Sequence, residues 1–154
     1  MIPQTHHLMT VEDTRALGRD LAAQLRAGDL VVLSGPLGAG KTALTQGIGA
    51  GLGVRGPVTS PTFVLARVHR GPLPLVHVDA YRLRDAGAPT LELDDLDLDA
   101  DLPASVVVVE WGTGLVEGLS DARLEVRLDR PAGAPEDLRT AVVRAYGARW
   151  AVLR

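Results

Sequence analysis

The stretch SGPLGAGKTAL, residues 34–44, decides how the rest of the chain is interpreted. It matches the pattern G-x-x-x-x-G-K-[ST] and directly follows the apolar run LVVL. In this pattern, glycines let backbone N–H groups surround phosphate oxygens, the lysine reaches the β- and γ-phosphates, and the final hydroxyl binds Mg²⁺. We therefore predict a phosphate-binding loop between a buried strand and a helix. Its candidate binding residues are Gly35, Gly38, Ala39, Gly40, Lys41 and Thr42.

The lysine of this loop is the only lysine in the chain, whereas the other Lys or Arg positions are all arginine and asparagine is absent. Such a composition is typical of a chain that drifts towards GC-rich codons. Lysine and arginine are not equivalent where a loop closes around phosphates, because a compact ammonium fits and a planar guanidinium is crowded. Lys41 is therefore the leading candidate for phosphate contact and catalysis.

Length and composition limit the classes of protein to consider. A chain of 154 residues predicts a single domain, residues 1–154. The net charge of −3 gives no general reason for direct binding to nucleic acid or to a membrane surface. The chain has no cysteine, which excludes disulfides and thiolate sites, and no run approaches the roughly 18 apolar residues of a membrane span. We expect a cytoplasmic protein with no membrane partner.

The hydrophobic pattern predicts an α/β fold. One amphipathic helix is capped by Thr10 and closed by Gly28, and a second continues from the phosphate loop to Gly51 or Gly53. Apolar runs predict central strands at 30–34, 75–79 and 106–110, a hairpin from 63 to 79, and amphipathic marginal strands at 122–129 and 139–147. We expect a P-loop NTPase-like domain, with a partly parallel sheet, added antiparallel strands and helices on both faces.

Two of these strands end on acids, Asp79 in LVHVD and Glu110 in VVVVE. Open α/β sheets bind ligands at the carboxyl ends of their strands, and Mg²⁺ needs carboxylate oxygens there. Either acid could hold the metal or orient a water. No N-K-x-D or D-x-x-G motif occurs, so adenine is favoured over guanine.

The ordered motifs GPLGAGKT, SPTF, HVDAYRL and VEW resemble the bacterial TsaE family, also called YjeE. That family comprises the ATPases of tRNA threonylcarbamoyladenosine (t6A) modification. The resemblance implies ATP and Mg²⁺ as ligands, with Thr42 and Glu110 holding the metal and Asp79 beside the attacking water or the γ-phosphate. It also implies binding to the threonylcarbamoyl transferase and its companion subunit, of the TsaD and TsaB type, which bring tRNA indirectly. Hydrolysis is expected to be weak alone and stimulated by these partners.

Several further residues are candidates for a switch or a partner contact. The loop SPTF could become ordered over a γ-phosphate, or it could be an ordinary turn entering a strand. The acidic segment 91–101 departs from the family pattern and could be a solvated face or a docking surface. The switch and partner candidates are Ser60, Thr62, Tyr81, Arg82 and Trp111.

The four histidines carry no metal-ligand pattern. His6 and His7 are interpreted as a mobile N-terminal element, and His69 and His77 as ordinary polar strand positions. Two other functions stay open on the sequence alone. One is a small-molecule kinase, and the other is a nucleotide-dependent interaction switch with negligible hydrolysis.

Overall fold

Seven strands and two α-helices lie in the described part of the chain, which comprises residues 4–36, 38–58, 66–79, 102–110, 122–133 and 138–150 of a computed structural model. The strands are β1 (Gln4–Leu8), β2 (Leu30–Ser34), β3 (Ala66–His69), β4 (Leu75–Asp79), β5 (Val106–Glu110), β6 (Arg123–Asp129) and β7 (Arg139–Tyr146). The helices are α1 (Val11–Ala22) and α2 (Lys41–Leu52).

The strands form one mixed sheet in the order β1-β7-β6-β2-β5-β4-β3. Strands β4, β5, β2 and β6 run parallel to one another, while β3, β7 and β1 add antiparallel pairs. The predicted partly parallel sheet with antiparallel additions is therefore confirmed. The three predicted central strands are also observed at their predicted positions, 30–34, 75–79 and 106–110.

The predicted marginal position of β6 is wrong. This strand lies inside the sheet and pairs in parallel with β2, with Val32 opposite Glu125 and Leu33 opposite Val126. Its alternating pattern arises because Leu124 and Val126 point into the core, whereas Arg127 on the other face is exposed. An amphipathic pattern therefore indicates that one face of the strand is exposed to solvent. It does not indicate that the strand lies at the edge of the sheet.

The N-terminal residues form a strand that the sequence analysis missed. In β1, His6 and His7 pair with Ala141 and Thr140 of β7, so they belong to the sheet and not to a mobile element. The strand is mostly polar and exposed because it is an edge strand, and Leu8 alone is buried. Such a strand lacks the apolar alternation by which strands are identified from sequence.

Helix α1 begins as predicted and ends earlier. Thr10 Oγ1 accepts a hydrogen bond from the Asp13 backbone N–H at 3.1 Å, and the Asp13 carboxylate accepts one from the Thr10 N–H, completing a capping box. The helix ends at Ala22, six residues before Gly28. The helix was predicted too long because the apolar spacing continues to Leu25. This residue lies in the turns after the helix and is still buried in the core.

The two helices approach each other through glycine. A Cβ on Gly18 would lie 2.4 Å from the Leu44 carbonyl oxygen, and one on Gly47 would lie 2.1 Å from the Arg15 carbonyl oxygen. The glycines that weaken α2 by propensity are therefore required by its contact with α1. Helix α2 ends at Leu52, between the two glycines at which it was predicted to end, and Gly53 caps it at φ 77°.

Both described helices pack on one face of the sheet, where their apolar residues join Val31, Leu33 and Val108 in a common core. The prediction of helices on the opposite face falls outside the described residues. No helix within those ranges is long and apolar enough to cross a lipid bilayer.

Candidate nucleotide-binding site

The phosphate loop connects the end of β2 to the start of α2, and its geometry depends on glycine. Gly35, Gly38 and Gly40 have φ values of 131°, 80° and 103°, which other residues rarely adopt. A Cβ on Gly35 would also lie 2.0 Å from the Leu128 carbonyl oxygen of β6. Gly40 precedes α2 without a side-chain cap, so the first N–H groups of this helix can serve a bound anion.

The side chain of Lys41 is buried within this loop, with 5% of the residue exposed. Its Nζ donates hydrogen bonds to the carbonyl oxygens of Gly35 at 2.8 Å and Pro36 at 3.0 Å. Burial lowers the pKa of Lys41, and the negative charges of Glu110 and Asp79 act in the opposite direction. The ammonium group therefore interacts electrostatically with both acids at the strand ends.

Asp79 and Glu110 are neighbours at the carboxyl edge of the sheet. They face each other in the parallel register of β4 and β5, and Glu110 is opposite Leu33 of β2, immediately before the phosphate loop. Glu110 is buried with 5% exposed, while Asp79 is half-buried. The fold thus brings both candidate acids to the edge from which the loop begins.

A buried histidine completes this group, and the sequence analysis missed its role in the arrangement. His77 is fully buried, and its Nε2 lies 2.7 Å from Glu110 Oε2. The signal was present in the alternation of LVHVD, where His77 precedes Asp79 by two residues and so points to the same face of the sheet. A polar residue in an otherwise apolar, buried strand requires a partner, and this partner lies on another strand.

Thr42 and Glu110, the two predicted metal ligands, carry oxygen donors of the kind that Mg²⁺ prefers. Thr42 is half-buried in the first turn of α2, and Glu110 is the carboxylate proposed to accompany it. No group of three or more His, Cys, Asp or Glu residues that could hold a metal occurs among the described residues. Mg²⁺ commonly uses one or two protein oxygens and completes its coordination with phosphate and water, so a sparse set suits it.

A second contact that sequence did not predict tethers the loop to β7. Arg139 Nη2 donates a hydrogen bond to the Gly38 carbonyl oxygen at 3.3 Å. The two residues are about a hundred positions apart, and no local pattern connects them. The loop is therefore tethered to β7 at Gly38, while at Gly35 it passes close to the Leu128 carbonyl of β6.

The candidate switch and partner residues lie outside the described residues, as does the acidic segment 91–101. The described chain stops just before the first of them, at Val58, whose carbonyl accepts a hydrogen bond from Gln46 Nε2 at 3.2 Å. Gln46 in turn accepts one from Arg15 Nε at 3.2 Å. Both helices thus anchor the chain that leads into SPTF. The candidates that stay predictions are Ser60, Thr62, Tyr81, Arg82 and Trp111.

A buried parallel strand, a glycine-dependent loop and a helix N-terminus, with acids on adjacent strand ends, define a P-loop NTPase-like nucleotide-binding protein. The crystal structure of Bacillus subtilis YdiB shares this fold. It superposes with a TM-score of 0.77 and 32% sequence identity, covering 97% of this chain and 89% of the YdiB chain.

The family follows from sequence comparison. Residues 8–137 match the family described as threonylcarbamoyl adenosine biosynthesis protein TsaE. A Streptomyces coelicolor protein named tRNA threonylcarbamoyladenosine biosynthesis protein TsaE is 61% identical over 142 residues, or 89% of this chain and 93% of that protein. A Bacillus subtilis protein of the same name is 38% identical over 144 residues, covering 92% and 85%. The chain belongs to the TsaE family, as its motifs predicted.

Proposed function

We propose that this protein is a Mg²⁺-dependent ATPase that supports tRNA t6A modification in the cytoplasm. It would bind a threonylcarbamoyl transferase and its companion subunit, of the TsaD and TsaB type, and contact tRNA through that complex. The observation that carries the ATPase assignment is the convergence of Lys41, Asp79 and Glu110 at one edge of the sheet. The names of the relatives support the pathway.

In this proposal the loop binds the β- and γ-phosphates through its backbone N–H groups and through Lys41. The Lys41 ammonium exchanges the carbonyl oxygens of Gly35 and Pro36 for phosphate oxygens, so it enters the reaction already desolvated. Charge-assisted hydrogen bonds of this kind are stronger where water is excluded. The loop therefore positions the phosphates before any reaction begins.

Thr42 and Glu110 would hold Mg²⁺, which when bound neutralises charge on the β- and γ-phosphate oxygens. Asp79 would accept a hydrogen bond from the attacking water and direct its oxygen at the γ-phosphorus. The new bond joins the water oxygen to phosphorus, the bond to the bridging oxygen breaks, and ADP and phosphate leave. The roles of the two acids can also be exchanged, with Asp79 on the metal and Glu110 on the water, and the Mg²⁺ dependence of Asp79→Asn distinguishes the two assignments.

The decisive experiment measures phosphate release with Mg²⁺ and ATP, first with the purified protein and then with the two partner subunits and tRNA. We expect slow hydrolysis alone and faster hydrolysis in the mixture, together with ATP-dependent tRNA modification. Absence of both binding and stimulation would contradict the proposed function. Phosphorylation of a metabolite would instead indicate a kinase.

Glu110→Gln tests the site within the same assay. It should lower turnover about a hundredfold while ATP binding in EDTA is retained, because only metal-dependent charge stabilisation is lost. Glu125→Gln is the matched control. Glu125 is also a strand glutamate, but it points to the opposite face of the sheet and pairs with Arg123 at 3.0 Å. Equal turnover of the two variants would exclude Glu110 from the site.

A further inference from the structure

The pair formed by His77 and Glu110 has no evident value for stability. His77 is 0% exposed, and Leu75, two residues earlier on the same face of β4, is also 0% exposed, which shows that apolar side chains fill this face well. Taking two polar groups out of water costs free energy, and a buried polar pair often stabilises a protein no better than apolar residues of the same volume. The presence of histidine in this strand therefore points to a task other than packing.

The geometry of the pair restricts the carboxylate. His77 Nε2 contacts only one oxygen of Glu110, Oε2, at 2.7 Å. A hydrogen bond to one carboxylate oxygen restricts the rotation of the side chain and leaves the second oxygen able to accept. His77 approaches from within the sheet, because it is opposite Val108, two residues before Glu110 on β5. The contact thus holds Glu110 from the core side.

The other ring nitrogen of His77 has no competing task. Nδ1 is buried and makes no hydrogen bond in the described structure. A buried N–H group without an acceptor is rarer in proteins than an unused acceptor, so the arrangement favours a ring protonated at Nε2. In that tautomer the single N–H of His77 donates to Glu110.

We infer that His77 is a positioning residue that orients Glu110 so that its second oxygen meets the Mg²⁺ of the bound nucleotide. The inference rests on the proposed function, because it assumes that Glu110 serves the metal. Residues that hydrogen-bond a metal ligand fix its orientation, and their loss commonly weakens metal binding 10- to 100-fold. The same scale is expected here.

Two substitutions of His77 test the inference. His77→Leu removes the hydrogen-bond donor and introduces an apolar side chain of similar size. His77→Gln keeps an N–H donor on a side chain of similar length. The measurement is the binding of a fluorescent, non-hydrolysable ATP analogue, titrated with Mg²⁺ and repeated in EDTA. We expect His77→Leu to raise the apparent Kd for Mg²⁺ at least tenfold, with affinity in EDTA changed less than about twofold. His77→Gln should restore most of the Mg²⁺ response.

His69→Gln is the matched control. His69 is also a buried histidine on an adjacent strand, and its Nε2 makes no hydrogen bond in the described structure. This variant should leave the Mg²⁺ titration unchanged. A wild-type Mg²⁺ response in His77→Leu, beside a weakened one in Glu110→Gln, would overturn the inference and leave the proposed function standing. A wild-type response in Glu110→Gln would instead contradict the proposed function.

Equal loss in His77→Leu and His77→Gln, both with and without Mg²⁺, would also overturn the inference, because it would indicate a purely structural role. If neither variant folds, long-range ¹H–¹⁵N NMR of the wild-type protein still decides the question. Only four histidines need assignment. We expect the His77 ring to be protonated at Nε2 and its signals to move when Mg²⁺ is added to the nucleotide complex, unlike those of exposed His7. A ring protonated at Nδ1, or unmoved signals, would overturn the inference.

Discussion

The two sides of the candidate site are built by different means. The phosphate side lies on one stretch of sequence, with glycines at positive φ and backbone carbonyl groups that accept hydrogen bonds from Lys41 and Arg139. The acid side joins two strands that are far apart in sequence, and a side-chain contact between His77 and Glu110 links them besides their parallel pairing. Binding by backbone groups is disturbed when a substitution adds a side-chain atom that the loop cannot accommodate. Binding by side chains is disturbed when a substitution removes a charge or a hydrogen bond. Changes on the first side should impair nucleotide binding, and changes on the second should impair metal use and turnover.

Lys41→Met should have the largest effect on turnover. Lys41 belongs to both sides of the site, because it contacts the loop and interacts electrostatically with both acids. We expect turnover to fall about a thousandfold, with weaker nucleotide binding as well, since the charge on the β- and γ-phosphates is lost. ATP hydrolysis and calorimetric titration with ATP measure the two effects. Arg67→Met, a change of an arginine on β3, is the control and should leave both nearly unchanged. Wild-type activity in Lys41→Met would remove this residue from the site.

Asp79→Asn should come next and should affect the acid side alone. If Asp79 orients the water, turnover falls about a hundredfold while the Mg²⁺ concentration for half-maximal rate is unchanged. Glu110→Gln should instead raise that Mg²⁺ concentration. Steady-state hydrolysis with ATP and Mg²⁺ varied separately provides the comparison. A raised Mg²⁺ requirement in Asp79→Asn alone would exchange the two roles.

Gly35→Ala should disturb the phosphate side alone. The new Cβ would meet the Leu128 carbonyl at 2.0 Å, so the loop must move. We expect about 1–3 kcal/mol lower free energy of unfolding and about tenfold weaker ATP binding in EDTA. Urea unfolding and calorimetry measure these effects.

The control for that change is Gly56→Ala. Gly56 also has a positive φ, 74°, yet a Cβ there would meet nothing within 4 Å. It should lower stability by about 1 kcal/mol through backbone strain alone and leave ATP binding intact. Equal effects of the two substitutions on ATP binding would show that the Leu128 contact does not matter.

The smallest effect concerns pH. Burial lowers the pKa of Lys41 below its ordinary value of 10.5. Between that lowered pKa and 10.5, the unfolded chain binds a proton that the folded chain has lost, so the free energy of unfolding rises with pH. The free energy of wild-type unfolding minus that of Lys41→Met should therefore increase as pH rises towards 10.5, as urea unfolding at several pH values will measure. A constant difference would indicate that Lys41 is not effectively desolvated.

Much of the fold could be predicted because the sequence patterns that indicate it are local. The cap at Thr10 and the apolar runs of the central strands each act over a few residues, and each appears where predicted. Prediction failed where a distant contact decided the outcome. Pairing with β7 orders the polar strand β1, and parallel pairing with β2 places β6 inside the sheet.

The sequence by itself determined the phosphate loop, the two candidate acids and the family, because chemically demanding residues there lie in fixed local patterns. Only the tertiary structure decided that Asp79 and Glu110 are neighbours, that Arg139 reaches the loop and that His77 binds Glu110. Hydrogen bonds between separate strands depend on sheet order and register, which arise when the whole core packs. A short sequence pattern therefore does not predict these hydrogen bonds.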